Sequence, residues 1–154
     1  MFEKRWSLCR LFGIPVRIDF SWFFLAVLVT WSLARGFFPE LYPALPEAIY
    51  WSMGILGALG LFASILLHEV SHALVARRFG LQINAITLFI FGGVAEMAEE
   101  PKSARGEFFM AIAGPLASGF LAVFFFVLAR LLEALTLPTS LTGVIAYLAL
   151  INGI

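Results

Sequence analysis

Charge, sulfur and imidazole are all scarce in this 154-residue chain, and each shortage excludes something. A single cysteine, Cys9, permits no intramolecular disulfide and no cysteine metal cluster; it reads as an ordinary thiol near a membrane surface. Charged residues are 13% of the sequence, where a soluble domain carries roughly a quarter. Ten basic residues balance ten acidic ones, so the net charge is zero and no basic run marks a binder of nucleic acid or other polyanions. Aspartate occurs once, at Asp19, and histidine twice, at His68 and His72. Internal repeats and low-complexity tracts are absent.

What is present is apolar. Hydrophobic residues make up 62% of the chain and the mean hydropathy is +0.98, which places it among integral membrane proteins. Residues 1–19 are a polar–apolar mixture. The first apolar run is Phe20 to Ala34, extended past Arg35 by Phe37 and Phe38, with Trp22 and Trp31 as interfacial anchors. A loop with Pro39, Pro43 and Pro46 breaks any helix there. A second run, about 49–76, is stopped by Arg77-Arg78, and a third covers about 108–132. A fourth begins at Leu141 and is still running at Ile154. Its 14 residues fall short of the roughly 20 that cross a hydrocarbon core, so the sequence reads as the first part of a larger protein.

Between the second and third runs, Ile83 to Phe91, then Gly92-Gly93, then Val94 to Met97 read as strand, tight turn and strand. The stretch from Glu96 to Glu107 reads as solvated. The fold class expected is an all-α polytopic membrane protein. It has spans at about 20–38, 49–76, 108–132 and an incomplete 141–154, plus a short re-entrant or membrane-associated β-hairpin.

Basic residues orient these spans. Eight of the ten lie in residues 1–19 and 77–107, and Arg35 and Arg130 flank the other side. The positive-inside rule then puts the N-terminus and the 77–107 loop in the cytoplasm of a cell-membrane, multi-pass protein. A competing reading makes residues 1–34 a cleaved signal peptide, given Ser32-Leu33-Ala34; aromatic anchors and the long basic region favour a retained span.

The second span holds His68-Glu69-Val70-Ser71-His72, an H-E-x-x-H motif containing both histidines of the chain. Positions i and i+4 share a helix face, so His68 and His72 can grip one zinc ion, and Glu69 can take a proton from a zinc-bound water. Ionisable groups inside a span are costly and mark function by default. With 1.5 Å of rise per residue, His68 lies roughly 13 Å inside the cytoplasmic edge set by Arg77. Ser71 lacks a separate base, because both imidazoles serve as ligands. Gly54, Gly57, Gly60, Ala63 and Ser64 upstream are either ordinary membrane-helix small residues or a packing face. Ala111, Gly114, Ala117 and Ser118 read as small packing residues of the third span, and Pro115 frees a carbonyl one turn back, at Ala111.

Taken with Phe91-Gly92-Gly93-Val94-Ala95, Ala113-Gly114-Pro115-Leu116-Ala117-Ser118, the lead-in Gly13 to Asp19 and the stretch Pro101 to Arg105, the H-E-V-S-H motif resembles the site-2 protease family of intramembrane zinc metalloproteases, prokaryotic type. The resemblance implies that His68 and His72 bind Zn2+, that Glu69 is catalytic, and that the substrates are transmembrane segments of regulatory membrane proteins. It implies a third zinc ligand, an aspartate in an Asp-Gly motif on a later span. No such motif occurs here and Asp19 does not match its position, so the resemblance implies a chain truncated before that ligand and incomplete as an enzyme. It further resembles the branch without a PDZ domain and with a C-terminal regulatory region, which would lie outside this chain.

Phe91, Gly92 and Gly93 are candidate substrate-binding residues. A membrane helix must unwind to be cut, and an exposed strand edge can capture the unwound segment. The alternative is a loop that only plugs the cleft. The partners expected are a transmembrane protein substrate and the lipid bilayer, with no nucleic acid. The alternative functions are a non-catalytic membrane module or inactive fragment retaining the motif, and, less well supported, a metal transporter.

Overall fold

A computed structural model describes residues 5–90, 92–97 and 103–154. In chain order the elements are β1 (Arg5–Leu11), β2 (Ile14–Asp19), α1 (Ser21–Ser32), a π-helical turn (Leu33–Phe37) and α2 (Phe38–Leu41). These are followed by α3 (Glu47–Arg78), β3 (Ile83–Phe89), β4 (Gly92–Met97), α4 (Ala104–Ala134) and α5 (Thr139–Asn152). Among the described residues three helical stretches, Ser21–Leu41, Glu47–Arg78 and Ala104–Ala134, are long and apolar enough to cross a membrane, and α5 is a shorter apolar helix. Two compact units divide the chain, one of residues 1–25 and 65–117, the other of residues 26–64 and 118–154.

The first unit is built on a four-stranded sheet ordered β1-β2-β3-β4. This corrects the expectation of helices plus one hairpin, because residues 5–19 form a second hairpin. Ile14, Val16 and Ile18 alternate with Pro15, Arg17 and Asp19, the period of a half-buried strand. β2 runs parallel to β3, Val16 facing Ile86, a pairing that needs a long crossover connection, here α1 to α3. The β3–β4 turn also differs from expectation. Gly92 and Gly93 are strand residues paired with Phe89 and Leu88, so the turn does not fall on them; Ile90 is a turn residue, and Phe91 lies outside the described residues. Glu96 is not simply solvated, since its carboxylate accepts from Thr87 Oγ1 at 3.2 Å and pairs with Arg17 at 3.5 Å. Residues 98–102 of that stretch are outside the described residues.

Ile14, Val16, Ile86 and Leu88 of the sheet are buried with Val70 and Ala73 of α3 in one apolar cluster. Burying side chains such as these contributes on the order of 1.5–3 kcal/mol each for the larger ones. This packing fixes the rotation of α3 about its axis, because Val70 and Ala73 bracket His72 and must face the sheet.

In the second unit, Leu33, Phe38, Met53, Val144, Tyr147 and Leu148 form the core. Pro39 does not end the first helical run, contrary to the expectation from three prolines. Proline lacks an N–H, and the preceding turn widens so that the Phe38 amide donates to Leu33 O, five residues back. The small residues of α3 are a packing face here. A Cβ at Gly54 would fall 2.8 Å from Thr30 O, one at Gly57 3.0 Å from Leu33 Cδ1, and one at Gly60 2.7 Å from the Leu148 methyls.

Beside that face a buried polar link joins α5 to α3. Asn152 Nδ2 donates to Ser64 Oγ at 3.0 Å and to Leu148 O at 2.8 Å, while Ser64 Oγ donates to Gly60 O at 3.0 Å. An interhelical bond of this kind in lipid is worth about 0.6 kcal/mol and at most ~1.7 kcal/mol. Ser64→Ala should therefore cost about that much in reversible unfolding from bicelles, and Asn152→Ala more, because it also empties a packed site. Equal stability of all three forms would show that the link contributes nothing.

Candidate metal centre

α3 carries His68 and Glu69 on one turn and His72 on the next, and the helix geometry does what i, i+4 spacing predicts. The two Nε2 atoms are 3.0 Å apart. Two Zn–N bonds of about 2.0–2.1 Å at a tetrahedral angle would separate their nitrogens by roughly 3.3 Å, so the pair fits one zinc ion with little adjustment. On the other side of the His72 ring, Nδ1 lies 2.5 Å from the Met110 carbonyl of α4. A carbonyl can only accept, so Nδ1 carries the proton and Nε2 keeps its lone pair for a metal. That outer bond is the usual device that fixes a ligand's tautomer and orientation.

Two glycines bring backbone against these side chains. At Gly114 of α4, an added Cβ would overlap the Nε2 atoms of both His68 and His72 and lie 2.6 Å from His68 Cδ2. Only a residue with no side chain leaves the space in front of the two ligand nitrogens open. At Gly93 of β4, an added Cβ would overlap Glu69 Cγ and fall 2.7 Å from its carboxyl carbon. The Gly93 backbone N–H donates to the Glu69 carboxylate.

A cavity of about 470 Å³ opens beside this cluster, lined by Glu69 and His72, by Gly93, Val94 and Ala95 of β4, and by Met110 and Ala111 of α4. Its walls are mainly small and apolar. β4 is the last strand in the order of the sheet, so its outer edge has no strand partner among the described residues.

Of the residues singled out from sequence, His68, Glu69, His72 and Gly93 are brought together. Gly92 pairs with Phe89 one residue further along, and Phe91 lies outside the described residues. Ser71 Oγ donates to Leu67 O of its own helix at 2.7 Å, in keeping with no nucleophilic role. Sequence reasoning missed the specific duty of Gly114 and the part played by Met110 O. Among the described residues no three His, Cys, Asp or Glu side chains gather around a metal position; His68 and His72 supply two candidate donors where a catalytic zinc usually takes three protein ligands.

Residues 56–151 match peptidase family M50. The chain belongs to that family. Among M50-like relatives, Rip3 of Mycobacterium tuberculosis, provisionally named a zinc metalloprotease, is 38% identical over 143 residues, covering 93% of this chain and 36% of that protein. A Synechocystis protein, sll0528, with the same provisional name is 39% identical over 144 residues, covering 92% and 36%. The chain thus spans about a third of the length of the curated relatives it matches. Among solved structures, a site-2 protease from Methanocaldococcus jannaschii superposes with a TM-score of 0.60 at 25% identity, over 97% of this chain and 63% of that one.

Proposed function

We propose that this M50 chain carries the zinc-gripping and proton-transferring part of an intramembrane endopeptidase that cuts transmembrane segments of other membrane proteins. The observation that carries the reading is the convergence of His68 and His72 Nε2 in front of the Gly114 backbone, with Glu69 one residue away on the cavity wall.

His68 and His72 would hold the zinc, which when bound supplies Lewis-acid polarisation of the scissile carbonyl and a lowered pKa for water. Glu69 takes a proton from the water that attacks the carbonyl carbon. It returns that proton to the amide nitrogen as the C–N bond breaks. The Gly93 N–H holds the carboxylate toward the cavity during both transfers. The Met110 carbonyl keeps His72 in the tautomer that can serve as a ligand.

The substrate reading rests on the edge of β4. A transmembrane helix has its amides already bonded, so a scissile segment has to be extended before attack. The edge of β4 runs past Glu69 and His72, where an extended segment can pair with it while its side chains enter the apolar cavity. Purified protein and a single-span substrate in lipid discs test this. Products whose new termini map inside the span, lost with a chelator and restored by zinc, are expected. Cleavage only in soluble flanks would overturn the intramembrane reading, and intact substrate with bound zinc would favour a non-catalytic module.

The proposed orientation puts residues 77–107 in the cytosol of a cell-membrane protein and residues 39–46 outside, from the eight-to-two distribution of basic residues. In a Cys9→Ser background, cysteine at position 43 is expected to react with an impermeant thiol reagent added outside intact cells. Labelling only after the cytosolic face is opened would invert the topology.

A further inference from the structure

The hairpin β1–β2 turns on Phe12-Gly13, and both residues have positive φ, +51° and +81°. Two-residue turns of this shape select Asn-Gly or Asp-Gly, because a side chain with a Cβ resists the left-handed region and Asn and Asp resist it least. Phenylalanine is a poor choice for the backbone. It is also a poor choice for water, since Phe12 is 67% exposed. The tip is nevertheless held in place. Arg77 Nη1 donates to Phe12 O at 2.6 Å, tying the turn to the last helical turn of α3.

Arg77 and Arg78 end the 32-residue apolar α3, so the tip is held at the level where that helix leaves the hydrocarbon. The surroundings in this unit have the same character. Phe79 stacks on Phe109 at 6.1 Å, Arg105 lies 5.7 Å over the Phe109 ring, and Phe108 and Arg10 are exposed. An exposed mixture of aromatic rings and arginines is what the boundary of an anionic leaflet accommodates. Rings enter the acyl boundary, and guanidinium groups meet headgroup phosphates.

We propose that the β1–β2 tip is a bilayer anchor, with Phe12 inserted at the headgroup–acyl boundary of an anionic leaflet and Arg10, Arg77 and Arg78 facing its phosphates. The anchor holds the sheet to the membrane at the end of α3, and it stands whether or not the chain is a protease. Charge complementarity selects lipid over a second copy of this chain, because two copies would bring the same arginines together.

Nitroxide depth measurement tests it in lipid discs. With Cys9→Ser and Phe12→Cys, a label at the tip is expected to be reached by oxygen several-fold better than by a neutral nickel chelate, at a depth of about 5–10 Å below the headgroups. Replacing a third of the phosphatidylcholine by phosphatidylglycerol should reduce chelate access further, and Arg10→Gln with Arg78→Gln should remove that dependence. Dominant access by the chelate would place the tip in water and overturn the anchor. Low access by both reagents would mean that protein covers the tip, which also overturns it. Access that ignores phosphatidylglycerol in the chain with all its arginines would overturn the anionic assignment. If the Phe12→Cys form does not fold, a label at Arg10→Cys, on the strand two residues from the tip, is expected at the headgroup level, reached by oxygen and chelate about equally, and dominant access by the chelate there overturns the anchor.

Discussion

Replacing Glu69 by glutamine is expected to leave zinc bound and to lower kcat by about 10²-fold or more in the protein as the cell makes it. The substitution keeps the volume of the side chain. Its amide oxygen still accepts from the Gly93 N–H, so the side chain stays where the carboxylate was. What it cannot do is take a proton from water. His68→Ala and His72→Ala remove one imidazole of the pair and are expected to lose both metal and activity. Metal analysis and cleavage of a single-span substrate, run side by side, separate the two roles. Full cleavage by the Glu69→Gln form would falsify the proton-transfer role assigned to this residue.

H-E-V-S-H was legible in the sequence because its geometry is local. A helix rises and turns the same way wherever it stands, so i and i+4 converge without tertiary information. The apolar lengths of α3 and α4 were legible for the same reason. The N-terminal hairpin was not. Its alternation of Ile14, Val16 and Ile18 with Pro15, Arg17 and Asp19 is only six residues long and contains a proline, which argues against a strand, and its turn uses Phe12 in place of the asparagine that would have announced it. Gly92-Gly93 misled for the opposite reason, because a pair of glycines usually marks a turn. Here Gly93 is a strand residue whose missing side chain makes room for Glu69. Such a requirement is set across elements distant in sequence, and no window along the chain contains it. Gly114 is the same case: spacing alone cannot tell a glycine that meets another helix from one that meets two imidazoles.

That difference yields the second large effect. Inside a helix, Gly→Ala is ordinarily stabilising by about 1 kcal/mol, since alanine is the better helix former. At Gly114 the new methyl would occupy the space of both ligand nitrogens. The backbone of α4 cannot retreat cheaply, because Met110 O one turn earlier is bonded to His72 Nδ1. Gly114→Ala is therefore expected to abolish zinc binding, and with it cleavage, while helix content holds; the thermal transition of the metal-free protein should not show the rise that helix propensity alone gives, because the methyl has to push both imidazoles aside. Gly93→Ala makes the paired prediction. The three atoms nearest its methyl are the Cγ and carboxyl carbon of Glu69 and Leu88 Cδ2, none of them from a histidine, so zinc should stay bound while kcat falls by about 10²-fold through a displaced base. The two substitutions are chemically identical and differ only in which side chain they strike. If Gly114→Ala kept its zinc, or if both forms lost it alike, the separation of ligand space at α4 from base space at β4 would be wrong.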